Sequence, residues 1–173
     1  MEGMDRSAEL RLPTVAVPVR VAILGQTPIA AELFVPETSQ QARAQLLEDV
    51  SMVVEKDEGF LPVRGPEGVR LFAKHAVVWI AIRREVEHDV DEELDMPEEV
   101  VTLYDRHHRV ELQLVTGATL VGMLFDSSPA DRPRVVDHLN RAKRFLRLWT
   151  ADEHYLVNTQ QILQVTELAW SLE

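Results

Sequence analysis

The sequence predicts a mainly β chain in which one small five-stranded barrel, carrying a short inserted helix, is built twice. Three observations lead there. Val19, Val21, Ile23, Leu33 and Phe34 recur 91 residues later as Val110, Leu112, Leu114, Leu124 and Phe125. Phe60, Leu61, Leu71 and Ile80 recur 85 residues later as Phe145, Leu146, Leu156 and Val165. Two ungapped blocks at two constant offsets imply one unit repeated, with six extra residues between Phe34 and Phe60 of the first copy. Finally, each copy reads as short runs of alternating apolar residues separated by turn residues, which suits a small barrel better than a flat sheet with exposed edges.

In the first copy Val17, Val19, Val21 and Ile23 alternate as a half-buried strand requires. Gly25-Gln26-Thr27-Pro28 turns the chain, and Ile29 to Val35 returns. Thr38 stands three residues before Gln41, a capping box for a helix whose apolar side is Ala42, Leu46 and Val50. Phe60 to Val63, Val69 to Ala73 and Val77 to Ile82 supply three more strands, with the turn Gly65-Pro66-Glu67-Gly68 among them. The second copy repeats the plan. Val110, Leu112 and Leu114 alternate, Thr116-Gly117 turns, and Leu120 to Phe125 returns. Asp131 is the expected N-cap of a helix with Pro133 in its first turn and Val135, Leu139 and Ala142 as its apolar stripe. Phe145 to Trp149, Tyr155 to Val157 and Ile162 to Thr166 complete the set.

Charge divides the chain in three. Residues 1–84 carry 10 bases against 11 acids, and residues 107–173 carry 7 against 8, so each copy is nearly neutral. Residues 85–106 hold one base, Arg106, against ten acids. Most of the net charge of −11 therefore belongs to an acidic connector, whose middle, about 87 to 98, reads as a solvated linker. Val100, Val101, Leu103 and Tyr104 are expected to begin the first strand of the second copy. At 173 residues and 46% apolar the chain can bury a sizeable core, yet each copy alone is near the lower limit for independent folding. The copies are expected to pack together. There is no cysteine, hence neither a disulfide framework nor a thiolate metal site. Met1 to Asp5 lacks the basic start and apolar core of a signal peptide, and Ala76 to Ile82, the longest apolar run, is too short to cross a bilayer. A cytoplasmic protein is expected.

Leu114-x-x-Gly117-x-x-x-x-Gly122-x-Leu124, followed by Asp126, resembles the first signature segment of the Sm-like (Lsm and Hfq-type) small β-barrels. There the glycines let a strongly bent strand pair wrap on itself. Leu71 to Val77, with Lys74-His75-Ala76 at its centre, resembles the Lys-His-Ala segment of Hfq-type proteins. A bent hairpin with two glycines also serves SH3-like barrels. Both copies are similar to an uncharacterised bacterial domain pattern as well, through Leu139-Asn140 and the Phe145-led strand. These resemblances imply the barrel and a bacterial source.

The sharpest chemical feature is the cationic run Arg132, Arg134, Arg141, Lys143, Arg144 and Arg147, opposed only by Asp137. Arg134, His138 and Arg141 fall on one helical stripe. Arg134, Arg141, Lys143, Arg144 and Arg147 are the candidate partner- or anion-binding residues, able to hold phosphates or an acidic protein surface. The bland alternative is a solvated face answered by the chain's own acidic connector. His107 and His108 lie side by side on a strand and point to opposite faces, so they do not converge on one ion; His88-Asp89 has no second partner pair. Lys74-His75 reads as ordinary turn polarity, with Thr159 and Gln160 at the same place in the second copy. No nucleophile elbow or glycine-rich phosphate loop is present, so neither catalysis nor a cofactor or metal is expected. The expected role is a non-enzymatic adaptor that binds another protein, or a second copy of itself, through open strand edges or the inserted helices. The alternative is an Sm-like nucleic-acid- or nucleotide-binding protein using the basic helix.

Overall fold

The computed structural model describes residues 13–37, 43–84, 90–91, 96–97, 106–126 and 134–168. The N-terminal strands are β1 (Thr14–Ile23), β2 (Ile29–Pro36), β3 (Phe60–Gly65), β4 (Gly68–Ala73) and β5 (Val77–Arg83). Helix α1 (Arg43–Glu55) lies between β2 and β3, and a 3-10 turn, Lys74–Ala76, joins β4 to β5. Two-residue strands β6 (Val90–Asp91) and β7 (Met96–Pro97) pair with each other inside the acidic connector. The C-terminal strands are β8 (Arg106–Leu114), β9 (Thr119–Asp126), β10 (Phe145–Trp149), β11 (Glu153–Asn158) and β12 (Ile162–Glu167). Helix α2 (Val135–Arg141) precedes β10, and a second 3-10 turn, Thr159–Gln161, joins β11 to β12. Thr38, Gln41, Asp131 and the run from Val100 to Tyr104 lie outside the described residues. No helix among the described residues is long and apolar enough to cross a membrane.

The mainly β expectation holds, but the strands make one open sheet. Its order is β12-β8-β9-β10-β11-β5-β1-β2-β3-β4, and every pairing in it is antiparallel. Two closed barrels would need β5, already bonded to β1, to bond to β4 as well, and β12, already bonded to β8, to bond to β11. Instead β5 pairs with β11 over five positions, from Glu153↔Arg83 to Val157↔Trp79. This junction joins the two groups of strands, and β4 and β12 are left as the sheet's ends.

On either side of the junction the pairings follow the two offsets found in the sequence. Glu32↔Arg64 between β2 and β3 becomes Met123↔Trp149 between β9 and β10 on adding 91 and 85. Val17↔Leu33 becomes His108↔Leu124, and Leu61↔Phe72 becomes Leu146↔Val157. Even an irregularity recurs. The register of β1 with β5 shifts between Ala22↔Trp79 and Ile23↔Val77, that of β8 with β12 between Gln113↔Gln164 and Leu114↔Ile162.

Two apolar cores form, and each borrows from the other group of strands. Val17, Val19, Val21, Leu33, Val50 and Leu61 build the first, and Phe145 and Leu156 enter it from the C-terminal strands. Val110, Leu112, Leu114, Leu124, Leu146 and Leu148 build the second, and Ala22, Val78, Trp79 and Ala81 enter it from the N-terminal strands. Strand β5 is consequently buried on both faces from Val77 to Ala81 and reads as a continuous apolar run. In α1 the buried stripe is Leu47, Val50 and Val54, a spacing that places all three on one helical face. In α2 Val135 is buried, with Leu139 and Ala142 packed against the second core as the sequence predicts.

Gly122 has a steric reason to be glycine. A Cβ there would stand 2.5 Å from the Trp149 carbonyl oxygen and 2.8 Å from Leu148 Cγ, because β9 and β10 cross closely at their one paired position. Ala31, at the same place in β2, accommodates its methyl while remaining buried.

Candidate functional site

The basic run meets acids, and they come from α1. Glu48, Ser51 and Glu55 follow one another at helical spacing along the flank that faces β10. Arg147 donates to both carboxylate oxygens of Glu48, at 2.6 and 3.0 Å, and to Ser51 Oγ at 3.1 Å. This bidentate fork is the stronger form of ion pair. The Arg147 hydrogen bond, together with the charges of Arg147 and Lys143, holds the Glu48 carboxyl below its ordinary range against the opposing effect of burial. One turn on, the Glu55 carboxylate accepts the backbone amides of Phe145 at 2.8 Å and Arg144 at 3.3 Å. That pair of bonds fixes the point where Phe145 leaves its own strands for the first core.

Of the five candidate residues, Arg147 is thus part of the packing between α1 and β10. Arg144 receives Glu55 at its amide, and its carbonyl accepts both the amide and the hydroxyl of Thr159, at 2.9 and 3.1 Å. Arg141 Nε donates to the Asp137 carbonyl at 3.0 Å. Arg134 immediately precedes α2, and its carbonyl accepts the amides of Asp137 and His138. Arg134, Arg141, Lys143 and Arg144 are exposed, while Arg132 lies outside the described residues. Most of the acidic connector also lies outside them; the counter-charge described for Arg147 is Glu48.

Lys74 corrects the sequence reading of turn polarity. Its side chain is 2% exposed, and its ammonium donates to the backbone carbonyls of Lys56 at 2.8 Å and Val53 at 3.4 Å. It caps the C-terminal end of α1, where carbonyls lack helical partners and the helix dipole favours a cation. Burial lowers its pKa, the charge of Arg144 adds to that, and Glu58 opposes it. Thr159, at the same place in the C-terminal strands, turns its hydroxyl to the Arg144 carbonyl.

Asn158 was not singled out by its sequence context, yet it joins the two groups of strands. At 1% exposure its amide nitrogen donates to the carbonyls of Val77 (2.9 Å), Lys74 (3.3 Å) and His75 (3.4 Å). Its oxygen accepts the Gln160 amide at 3.1 Å, and Gln161 Nε2 donates to the His75 carbonyl at 2.7 Å. The two 3-10 turns are thereby fastened together. At the opposite end of the junction Arg20 on β1 pairs with Glu153 on β11 and donates to the Tyr155 hydroxyl at 3.2 Å. The Arg20 guanidinium lies 5.3 Å from the Trp79 ring centre, and Trp79 meets Tyr155 edge-on at 5.2 Å. Burial, assisted by Glu153, pushes the Tyr155 hydroxyl up to about 12.

His154 sits against Trp149, ring centres 3.7 Å apart, with its Nδ1 buried and without a hydrogen-bond partner among the described residues. Burial, and then the charges of Arg84 and Arg147, push its pKa down from 6.5 to about 3. Above 6.5 the ring is neutral whether the chain is folded or not. As pH falls below that, the unfolded chain takes up a proton that the folded chain refuses, so stability declines towards pH 3. Between about pH 7.5 and 5 this amounts to ~2 kcal/mol, and His154→Phe is expected to remove most of that slope in urea unfolding. An unchanged slope would assign the acid sensitivity to other groups.

Among the described residues no three His, Cys, Asp or Glu side chains gather where a metal ion would be held. His107 lies beside Phe125, ring centres 6.5 Å apart, whereas His108 Nδ1 lies 3.1 Å from a Glu167 oxygen. Comparison of the chain with protein-family models, curated proteins and solved structures finds no match. The resemblance to Sm-like barrels therefore rests on the motif alone.

Proposed function

We propose that the chain is a non-enzymatic interaction module, a small Sm-like or SH3-like β-unit duplicated within one polypeptide, that binds another protein by strand addition at a free sheet edge. Residues 1–84 and 107–173 are the two copies in this reading, with 85–106 as the acidic connector. Support for the duplication comes from the pairings, which the offsets 91 and 85 carry from one side of the β5–β11 junction to the other. The observation that carries the function is the state of the end strands. Among the described residues β4 pairs only with β3 and β12 only with β8, and they present Val69 (59% exposed), Leu71 (65%) and Leu163 (69%). Soluble proteins blunt free edges with charge, proline or a covering segment, so edges with exposed large apolar side chains favour a partner. A cytoplasmic setting belongs to the same proposal.

The nucleic-acid alternative has less behind it, since Arg147 is engaged by Glu48 and Ser51 and Lys143 lies near the same carboxylate. A pulldown from the native host tests both readings. Proteins captured by the parent chain are expected to be lost with Leu71→Asp or Leu163→Asp and to survive nuclease treatment. Capture indifferent to both edge substitutions would sink the edge reading. Capture that vanishes with nuclease and with Arg141→Gln/Arg144→Gln would favour the basic helix.

A further inference from the structure

We infer that helix α2 is a lid on the second core, and that an amphipathic helix of a partner protein, three turns or longer, takes its place on the strands beneath. This surface is separate from the sheet edges. The two cores are built on matching floors. Val19, Val21, Ile23, Leu33, Leu61 and Val63 belong to the first, and the offsets 91 and 85 carry them to Val110, Leu112, Leu114, Leu124, Leu146 and Leu148 of the second. All of these side chains are buried. The helices packed on the two floors do not match. The first copy has six more residues between its second and third strands, and α1 has 13 residues against 7 in α2.

Length decides how firmly each helix is held, because a short helix owes its stability to the apolar face it buries. Helix α1 buries Leu47, Val50 and Val54, spaced i, i+3 and i+7 along one face. Helix α2 buries Val135; Leu139 and Ala142 are only partly buried against the second core, and Val136 is exposed. The polar anchors differ in the same sense. Lys74 holds the C-terminal end of α1, Arg147 holds Glu48, and the amides of Arg144 and Phe145 hold Glu55. Thr159 stands at the place of Lys74 in the second copy, and its hydroxyl goes to the Arg144 carbonyl, beyond the end of α2. Helix α2 is therefore expected to lift by local unfolding while the sheet and α1 stay folded. It uncovers a floor of the kind that α1 covers in the first copy. The chain itself thus shows what such a floor accepts: a helix with apolar side chains at i, i+3 and i+7, presenting three buried side chains where α2 presents one. That gain in apolar burial is what lets a partner's helix displace the lid.

Hydrogen exchange of the full chain tests the lid, and a fluorescein-labelled peptide with the α1 sequence, Arg43–Glu55, tests its occupant. Amides from His138 to Ala142 are expected to exchange at least ~100-fold faster than those from Val50 to Glu55, through an opening that low urea does not alter. The peptide should bind the full chain, speed exchange in α2 and leave α1 protected. Val135→Asp weakens the lid and leaves the floor residues in place. It should tighten peptide binding at least ~10-fold, because apparent affinity scales with the fraction of chains already open. Asn140 is exposed, and Asn140→Ala favours the helix, so binding should weaken about 3-fold. Should Val135→Asp lose the parent's circular dichroism, Val135→Ala takes its place, with the same sign of effect. Leu71→Asp and Leu163→Asp should leave peptide binding unchanged, which separates failure of the edge-binding reading from failure of this one. Four results would each overturn the inference: α2 amides as protected as those of α1, a peptide that does not bind, binding indifferent to both lid substitutions, or a peptide that frees α1 in place of α2.

Discussion

Separate chains of residues 1–86 and 100–173 are each expected to lose most of the parent's stability, and to recover it when mixed. The first would lack Phe145 and Leu156, which are buried in its core, and would expose the face of β5 that carries Val78, Trp79 and Ala81. The second would lack Val78, Trp79 and Ala81, and the partner strand of β11. Losing one large buried side chain costs about 3 to 5 kcal/mol, against a total stability of roughly 5 to 15 kcal/mol for a domain. Each fragment gives up two or more such contacts together with a five-pair ladder. Thermal unfolding followed by circular dichroism should show either no cooperative transition or a midpoint lower by at least ~15 °C, since 1 kcal/mol shifts a small domain by about 4 to 8 °C. Mixing should restore a single sharp transition, because the junction is made of backbone ladder and apolar contact and needs no covalent link. Two fragments that each melt as sharply and as high as the parent would show that the shared cores contribute little.

Much of the architecture was legible because its signals are local. Period-two alternation located the strands from Val17 to Ile23 and from Val110 to Leu114, and the turn residues bounded them. The two offsets even related pairings in the two groups of strands. Closure was not legible. β5 bonds to β1 on one side; whether its other side takes β4 or β11 depends on which edge finds a complementary edge in space, and its apolar run from Val77 to Ala81 is the same in either case. The buried roles of Lys74 and Asn158 were hidden for a related reason. Lys74 reads as turn polarity because it follows Ala73 between two apolar runs, yet the end of α1 lies above it, 18 residues back in sequence. Asn158 aligns with Ala73 at the 85-residue offset, and a polar residue against alanine carries no sign of a buried clamp. A polar residue ending the buried pair Leu156-Val157 was the available hint. The basic run was visible, but its Glu48 partner lies 99 residues away, and no periodicity connects them.

Asn158 is where the largest loss from a single side chain is expected. Its amide serves the carbonyls of Lys74 and His75 in the first 3-10 turn and of Val77 at the start of β5, and its oxygen one amide of the second turn; the bonds to Lys74 and Val77 are buried. Asn158→Leu preserves size but leaves these groups without the side chain that served them. Each buried group left unsatisfied costs about 1 to 3 kcal/mol, so a loss of roughly 3 kcal/mol or more is expected from urea unfolding. Asn158→Asp should cost more at neutral pH, because a carboxylate cannot donate and would face three carbonyl oxygens. The two variants should also differ in their response to acid. In N158D the new carboxyl binds its proton more tightly in the folded chain than in the unfolded one, so its stability relative to the parent should rise as pH falls. N158L has nothing to protonate, and its deficit should stay constant. Unfolding midpoints for the parent and both variants at about pH 7.5 and pH 5 separate these outcomes. If both variants keep the parent's stability, the 3-10 turns are held by the strand ladder alone and the clamp is dispensable. If N158D shows the same deficit at both pH values, the side chain is not facing the carbonyls as described, and the junction owes its strength to Phe145 and Leu156 instead.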